Sequence, residues 1–197
     1  MVPINFTSPS PIASRGTTNP TLAPSTVSQP GWSTGATSDA TFDGSTINSA
    51  YASAKSISIA SAAAQYVFGP FTFNGRYSFA QYKPDAFSAF SNQEKFNVVG
   101  AYAGYQMSPA LLLGLGYTWT HGSGDTSANY HQVSAGADYS LSKRTDIYLM
   151  GAYQHASGTQ RVDSTTTTSA AASIGSYGFQ AGSNTQEMVS LGIRHKF

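Results

Sequence analysis

The sequence predicts an all-β fold, an antiparallel up-and-down transmembrane β-barrel of which about seven to eight strands are present. Three observations point there. The chain holds no apolar run of the roughly 18 residues a membrane helix needs, yet only 10% of its 197 residues are charged, where soluble domains carry about 25%. After Lys55, seven runs of about 11–14 residues alternate apolar with small or polar side chains, the two-residue period of a strand. The connections between these runs alternate between tight turns and longer segments, which is how a spanning barrel is strung.

Taken in order, residues 1–50 are rich in Pro, Ser, Thr and Gly and carry no sustained period, so they read as a loop or tail preceding a strand region over 51–197. The strand candidates are Lys55–Phe68, Phe71–Tyr82, Lys95–Met107, Ala110–Thr120, Tyr130–Leu141, Thr145–Ala156 and Thr185–Phe197. In the second, Phe71, Phe73, Gly75, Tyr77 and Phe79 share one face and Thr72, Asn74, Arg76, Ser78 and Ala80 the other. In the fourth, Leu111, Leu113, Leu115, Tyr117 and Trp119 oppose Leu112, Gly114, Gly116, Thr118 and Thr120. In the last, Val189, Leu191, Ile193 and Phe197 oppose Met188, Ser190, Gly192, Arg194 and Lys196. The registers of Lys55–Phe68 and Lys95–Met107 are ambiguous.

The tight turns are Gly69-Pro70, Ser108-Pro109 and Ser142-Lys143-Arg144, and the longer connections are Lys83–Glu94, His121–Asn129 and Ser157–Asn184. Tight turns on the periplasmic side and long loops outside are what an outer-membrane barrel shows. Aromatics cluster accordingly: Phe71, Tyr139 and Phe197 near the tight-turn ends, and Phe79, Tyr117, Trp119 and Tyr153 toward the others. Phe71 to Phe79 covers roughly 26 Å of strand, or about 20 Å of membrane once tilted. Paired aromatic girdles flanking an apolar band are selected by lipid interfaces. A soluble sandwich would need charges on its second face, where this sequence offers Gly, Ser, Thr and Gln.

Several functions are excluded or weakened. Ten basic against nine acidic residues, a net charge of +1, give no field for nucleic acid. With no cysteine there is neither a disulfide framework nor a Cys-based zinc site. His121, His131, His155 and His195 lie on four segments without metal-ligand spacing, so no metal and no cofactor is expected. Gly114-Leu115-Gly116 lacks the third glycine and helix of a nucleotide fingerprint. His131 and Ser134 fall on opposite faces; His121 with Asp125, or His155 beside the long loop, are the remaining places for a nucleophile and its base. No catalytic residue is assigned. Met1–Gly16 lacks a basic start and an apolar core, so no secretory signal is read there.

The stretch Phe96–Gly158 carries GLGYT at Gly114–Thr118, GADYSLSKRTD at Gly136–Asp146 and YLMGAY at Tyr148–Tyr153, and the sequence ends GIRHKF at Gly192–Phe197. Over about Ala62–Phe197 it resembles the general porins of β-proteobacteria, in their C-terminal half. The resemblance implies trimers of about sixteen-stranded, water-filled barrels, of which seven or eight strands stand here, and it makes Val189, Leu191, Ile193 and Phe197 a signal read by the outer-membrane insertion machinery. The partners implied are outer-membrane lipid, further copies of the chain and small hydrophilic solutes.

Arg76, Asp138, Asp146, Arg194 and Lys196 lie opposite the apolar face and are expected to line a pore. An arginine on the lipid face would cost roughly 2–4 kcal/mol at mid-bilayer, and inward charges bias ion selectivity. The alternative for Arg194 and Lys196 is a place at the periplasmic rim. The expected function is passive diffusion of ions and small hydrophilic solutes. A non-conducting barrel remnant and a surface barrel with adhesin or enzyme loops are the alternatives.

Overall fold

The computed structural model describes residues 47, 49–51, 53–162, 166–174 and 181–197; the stretch read as a tail lies almost wholly outside them. Strands β1 (Ser56–Phe68), β2 (Phe71–Lys83), β3 (Glu94–Gln106), β4 (Leu111–Ser123), β5 (Ser127–Ser140) and β6 (Thr145–Arg161) follow one another, then come the short β7 (Thr167–Ser169) and β8 (Thr185–His195). Each of the first six pairs antiparallel with the next, and β8 closes on β6. All seven predicted runs are strands of one up-and-down sheet. Among the described residues β1 pairs only with β2 and β8 only with β6, which leaves both edges of the sheet open.

The tight turns are made by the chemistry their residues bring. Gly69 takes φ 56°, which leaves Pro70 at the head of the next strand. The Ser108 hydroxyl accepts hydrogen bonds from the Ala110 and Leu111 amides at 3.3 and 3.1 Å. Ser142 does the same for Arg144 and Thr145 at 3.2 and 3.1 Å. Both serines hold the short hairpins by a local side-chain to backbone contact.

One predicted connection is corrected. His121–Asn129, read as a long loop, is mostly strand: His121 pairs with Asn129 and Ser123 with Ser127, leaving only residues 124–126 to turn. The Gly- and Ser-rich composition imitated a loop, but ladder hydrogen bonds do not need apolar side chains, and short and long connections therefore do not alternate strictly. Strand β6 also runs past its predicted end at Ala156 to Arg161. At Gly158, φ 94°, it turns away from β5, and Thr159–Arg161 pair with β7 instead.

The ambiguous registers resolve with a physical cause. Ile57, Tyr82, Phe96, Tyr130 and Ala156 are buried, although they lie on the same face as Arg76 and Gln154. They carry two clusters at the long-connection end. In one, Tyr51 packs on Tyr82, Phe90 and Phe96; in the other, Ala170 and Ala172 pack on Ala128, Tyr130 and Ala156. Ile47 packs against both. The strands are thus apolar on both faces at this end and on one face elsewhere, which is why a single alternating pattern did not fit β1 and β3.

Candidate functional site: the inner wall

The sheet has two chemically different faces. One bears Phe71, Phe73, Tyr77, Val99, Tyr105, Leu113, Leu115, Tyr117, Val133, Tyr139, Leu149 and Tyr153, all exposed. On β8 the exposure reaches 77% at Val189 and 73% at Leu191, an apolar surface that water would not tolerate at this extent. We call this the outer face. The other, inner face carries a cavity of about 740 Å³ lined by Gln65, Asn74, Arg76, Gly100, Tyr102, Thr118 and Ser134 among others.

All six residues expected in the aromatic girdle, Phe71, Phe79, Tyr117, Trp119, Tyr139 and Tyr153, belong to the outer face by register. Phe71 stacks on Tyr105 with ring centroids 4.9 Å apart at the tight-turn end. Toward the other end the rings have polar partners: Tyr77 donates to Asn97 at 2.8 Å, Tyr117 bonds His131 at 2.7 Å, and Trp119 donates to Asn129 at 3.3 Å. Val189, Leu191 and Ile193 project from the same face of β8, and Phe197, beyond its end, meets His195 edge to face at 4.9 Å.

Of the charges expected inside, Arg76, Asp138, Asp146 and Arg194 are on the inner face, and Lys196 follows the end of β8, where its amide donates to the Arg144 carbonyl. Their surroundings differ in a way the sequence did not show. Arg194 is ion-paired to Asp146 and, at 3.4 Å, to Asp138, three adjacent strands converging on one guanidinium. Among the described residues Arg76 makes no ion pair of this kind; it reaches flat across β3 to Thr118 on β4 at 3.4 Å. Gly100 makes that path possible, since a Cβ there would stand 2.5 Å from Arg76 Nε. The register row that carries Arg76 runs on through Gly100, Thr118, Gln132 and Gln154 to Gln186.

Sequence reasoning missed those glutamines. Gln154 donates to Gln132 at 3.1 Å and accepts from the Ser173 amide at 2.7 Å. Gln186 accepts from the Ile174 amide at 2.5 Å. Gln160 accepts from Tyr130 at 3.0 Å and from the Ala171 amide at 3.1 Å. Part of the connection read as an external loop is therefore folded onto the inner face. The available signal was the apolar inner positions near the strand ends, which need something to cover them.

A second polar cluster clamps the long-connection end. Asp125, in the β4–β5 turn, pairs with Arg161 at 3.0 Å and accepts from the Ser91 and Asn92 amides, both at 3.1 Å. Burial pushes its carboxyl up, but the hydrogen bonds from Asn92 and Ser91 together with the Arg161 charge outweigh burial and hold it below the usual aspartate value. His121 bonds Asn129 at 2.9 Å, so the His121–Asp125 pair considered for an enzyme is not assembled. His131 does stand directly opposite His155, across two strands and on the outer face, a juxtaposition hidden by their spacing in sequence. No group of three or more potential metal ligands forms among the described residues.

Residues 8–159 match the family of Gram-negative porins. The match takes in most of the first 50 residues, where the resemblance read from the sequence alone was poor. None of the curated proteins matches. Among solved structures, the fold is similar to the outer-membrane-expressed OmpT of Vibrio cholerae, at 14% identity and a TM-score of 0.52, covering 71% of this chain and 41% of that one. It is likewise similar to OmpT of Vibrio cholerae folded in vitro, in its trimer form, at 14% identity and a TM-score of 0.51 with the same coverage. The chain thus spans about two fifths of the barrels it resembles.

Proposed function

The chain belongs to the Gram-negative porin family, and from that premise we propose that its sheet forms part of the wall of an outer-membrane passage for ions and small hydrophilic solutes, moving passively along the inner face. The observation that carries this reading is the contrast between the faces: exposed Leu, Val and aromatic rings outside, and, around a 740 Å³ cavity inside, Gln65, Asn74, Arg76, Thr118 and Ser134 among small Gly and Ala residues, with Val67 and Tyr102 the larger apolar members. Lipid suits the first and water the second. No step requires a catalytic group, and we assign none.

Within this reading Arg76 is the selectivity residue. Arg194 faces two carboxylates and contributes little free positive charge, whereas Arg76 rests on a hydroxyl and leaves its charge to the passage. Asp138 and Asp146 hold Arg194, and Lys196 sits at the tight-turn rim. We further propose the C-terminal half of a β-proteobacterial-type barrel, a trimeric assembly, and an insertion signal formed by Val189, Leu191, Ile193 and Phe197.

The test is single-channel current after refolding the chain into planar bilayers. Discrete, long-lived steps support the passage. Silence from a β-rich chain favours the second reading, a wall that does not conduct by itself. That reading has its own observation: β1 and β8 are each paired on one side only among the described residues, and lipid cannot satisfy the backbone groups left over.

A further inference from the structure

Two tyrosines of the inner face lie down on the wall instead of standing away from it. By register Tyr102 has Asn74 on one side and Gly116 on the other, and Tyr148 has Asp138 and Gly192. A Cβ at Gly104 would stand 3.0 Å from Tyr102 Cε1, and one at Gly114 would stand 2.9 Å from Cε2. Both edges of this ring thus rest on bare positions of neighbouring strands, and one π face is turned inward. Tyr148 uses Gly192 in the same way, since a Cβ there would overlap its Cζ and hydroxyl. Gly104, Gly114 and Gly136 form one register row across β3, β4 and β5, a floor without side chains. Glycine inside a strand marks a place where another group comes close to the backbone. Over this floor lies a second cavity of about 280 Å³ with both rings in its lining, and it shares Tyr102 with the 740 Å³ cavity at Arg76. The register row of Tyr102 reaches β6 at Ala152. Tyr148 is therefore three strands over and four residues nearer the tight turns, roughly 20 Å away at the usual strand spacing and rise.

The chemistry of this line selects a solute with two kinds of surface. A pyranose ring has a face of C–H groups, which suits the negative face of an aromatic ring, and a rim of hydroxyls that needs placed donors and acceptors. Gln65, Asn74 and Arg76 supply these beside Tyr102, and Asp138 beside Tyr148. A small ion gains nothing from a flat ring. We infer that Tyr102 and Tyr148 form a stacking track for a linear oligosaccharide, long enough to touch both rings, whose hydroxyls bond those four polar side chains. The inference rests on the passage reading above, whose solute class it names. A purely structural use of the same rings, covering bare glycine backbone, would need no ligand.

The test refolds the full chain into micelles of a detergent without a sugar head group and reads saturation-transfer NMR on maltohexaose, a linear glucose hexasaccharide. A neutral polyethylene glycol of equal mass is the control. Transfer should reach the ring C–H protons of the hexasaccharide and not the glycol. Tyr102→Ala and Tyr148→Ala should each weaken binding roughly three- to tenfold, the worth of one aromatic contact beyond its buried area. Tyr102→Phe keeps the ring over the same glycines and should retain most of the affinity. Gly114→Ala keeps the tyrosine but lifts it from its bed, and should weaken binding as Tyr102→Ala does; set against Tyr102→Phe it carries the comparison even where Tyr102→Ala does not fold. No transfer to the hexasaccharide, equal transfer to the glycol, or unchanged affinity in the folded alanine variants overturns the inference. Planar bilayers separate it from the passage reading. A conducting chain that does not bind the hexasaccharide overturns the track alone, and a silent chain that binds it overturns the passage alone.

Discussion

Replacing Gly100 by alanine asks whether the arginine laid along the wall is held there by the shape of its neighbour. The added Cβ would stand 2.5 Å from Arg76 Nε, 2.9 Å from Cγ and 3.2 Å from Cδ, so the side chain must leave the wall. It then loses its 3.4 Å contact with Thr118, worth about 0.5 kcal/mol for so long and exposed a bond, and pays about 0.5–1.5 kcal/mol if it settles off-rotamer. Alanine returns about 0.5–1 kcal/mol by stiffening a strand position. The net loss of stability is therefore about 0–1.5 kcal/mol, while the charge swings from the wall into the passage. Two assays read this: equilibrium urea unfolding in detergent micelles, and reversal potentials across a salt gradient. Gly100→Ala should leave the unfolding midpoint nearly unchanged, raise anion preference and lower the conductance step. In an Arg76→Ser background it should instead be stabilising and electrically neutral. Equal destabilisation in both backgrounds, with unmoved reversal potentials, would refute the steric coupling between the two residues.

Arg76→Glu should move selectivity toward cations by several-fold: a unit charge at roughly 7 Å in water is worth about 0.6 kcal/mol, and the change spans two charges, so reversal potentials should fall steeply with rising salt screening. Asp125→Asn should cost about 2–3 kcal/mol in urea unfolding, since it removes from Arg161 a carboxylate in a largely buried pair. Because the folded state lowers the Asp125 carboxyl from its ordinary 3.8, its contribution is complete above that value and lost as pH falls through the depressed one; acid unfolding of the parent should steepen there and that of D125N should not. Gly158→Ala should open the β6–β7 hairpin, since φ 94° excludes a side chain and its Cβ would overlap the Ser127 carbonyl; amide exchange at Thr159–Arg161 measures it. Deleting Phe197 should slow insertion into vesicles assisted by the outer-membrane machinery, and unchanged kinetics would remove it from the signal.

Most of the wall was legible because a lipid-facing strand states its orientation residue by residue. Phe71 to Phe79 and Leu111 to Trp119 show it, and the register bears both out. The reading failed where composition and pairing part company. His121–Asn129 contains four residues with little strand preference, Gly122, Gly124, Asp125 and Asn129, yet its ladder continues almost to the turn. It also failed where one segment covers another. Ser, Thr and Ala in residues 157–184 resemble any solvent-facing loop, and only the glutamines beneath, together with Tyr130 and Ala156 at inner positions, reveal what they dock against. Arg76, Asp138, Asp146 and Arg194 share one face of the sheet by register. Which of them was neutralised depended on Asp138, Asp146 and Arg194 meeting across three strands, and no spacing along the chain records that.

The side-chain pairs on the outer face have a consequence for assembly. A strand sliding by two residues against its neighbour keeps inside in and outside out, so the apolar alternation cannot detect the error, and a wall rich in Gly, Ala and Ser offers few steric objections. Tyr77 with Asn97, Tyr117 with His131, and Trp119 with Asn129 are diagonal pairs that exist in one register only. A two-residue slip between β2 and β3 or between β4 and β5 would strand them in the membrane interface. These pairs act as alignment marks: they distinguish the native ladder from its nearest look-alikes while the strands are still zipping together.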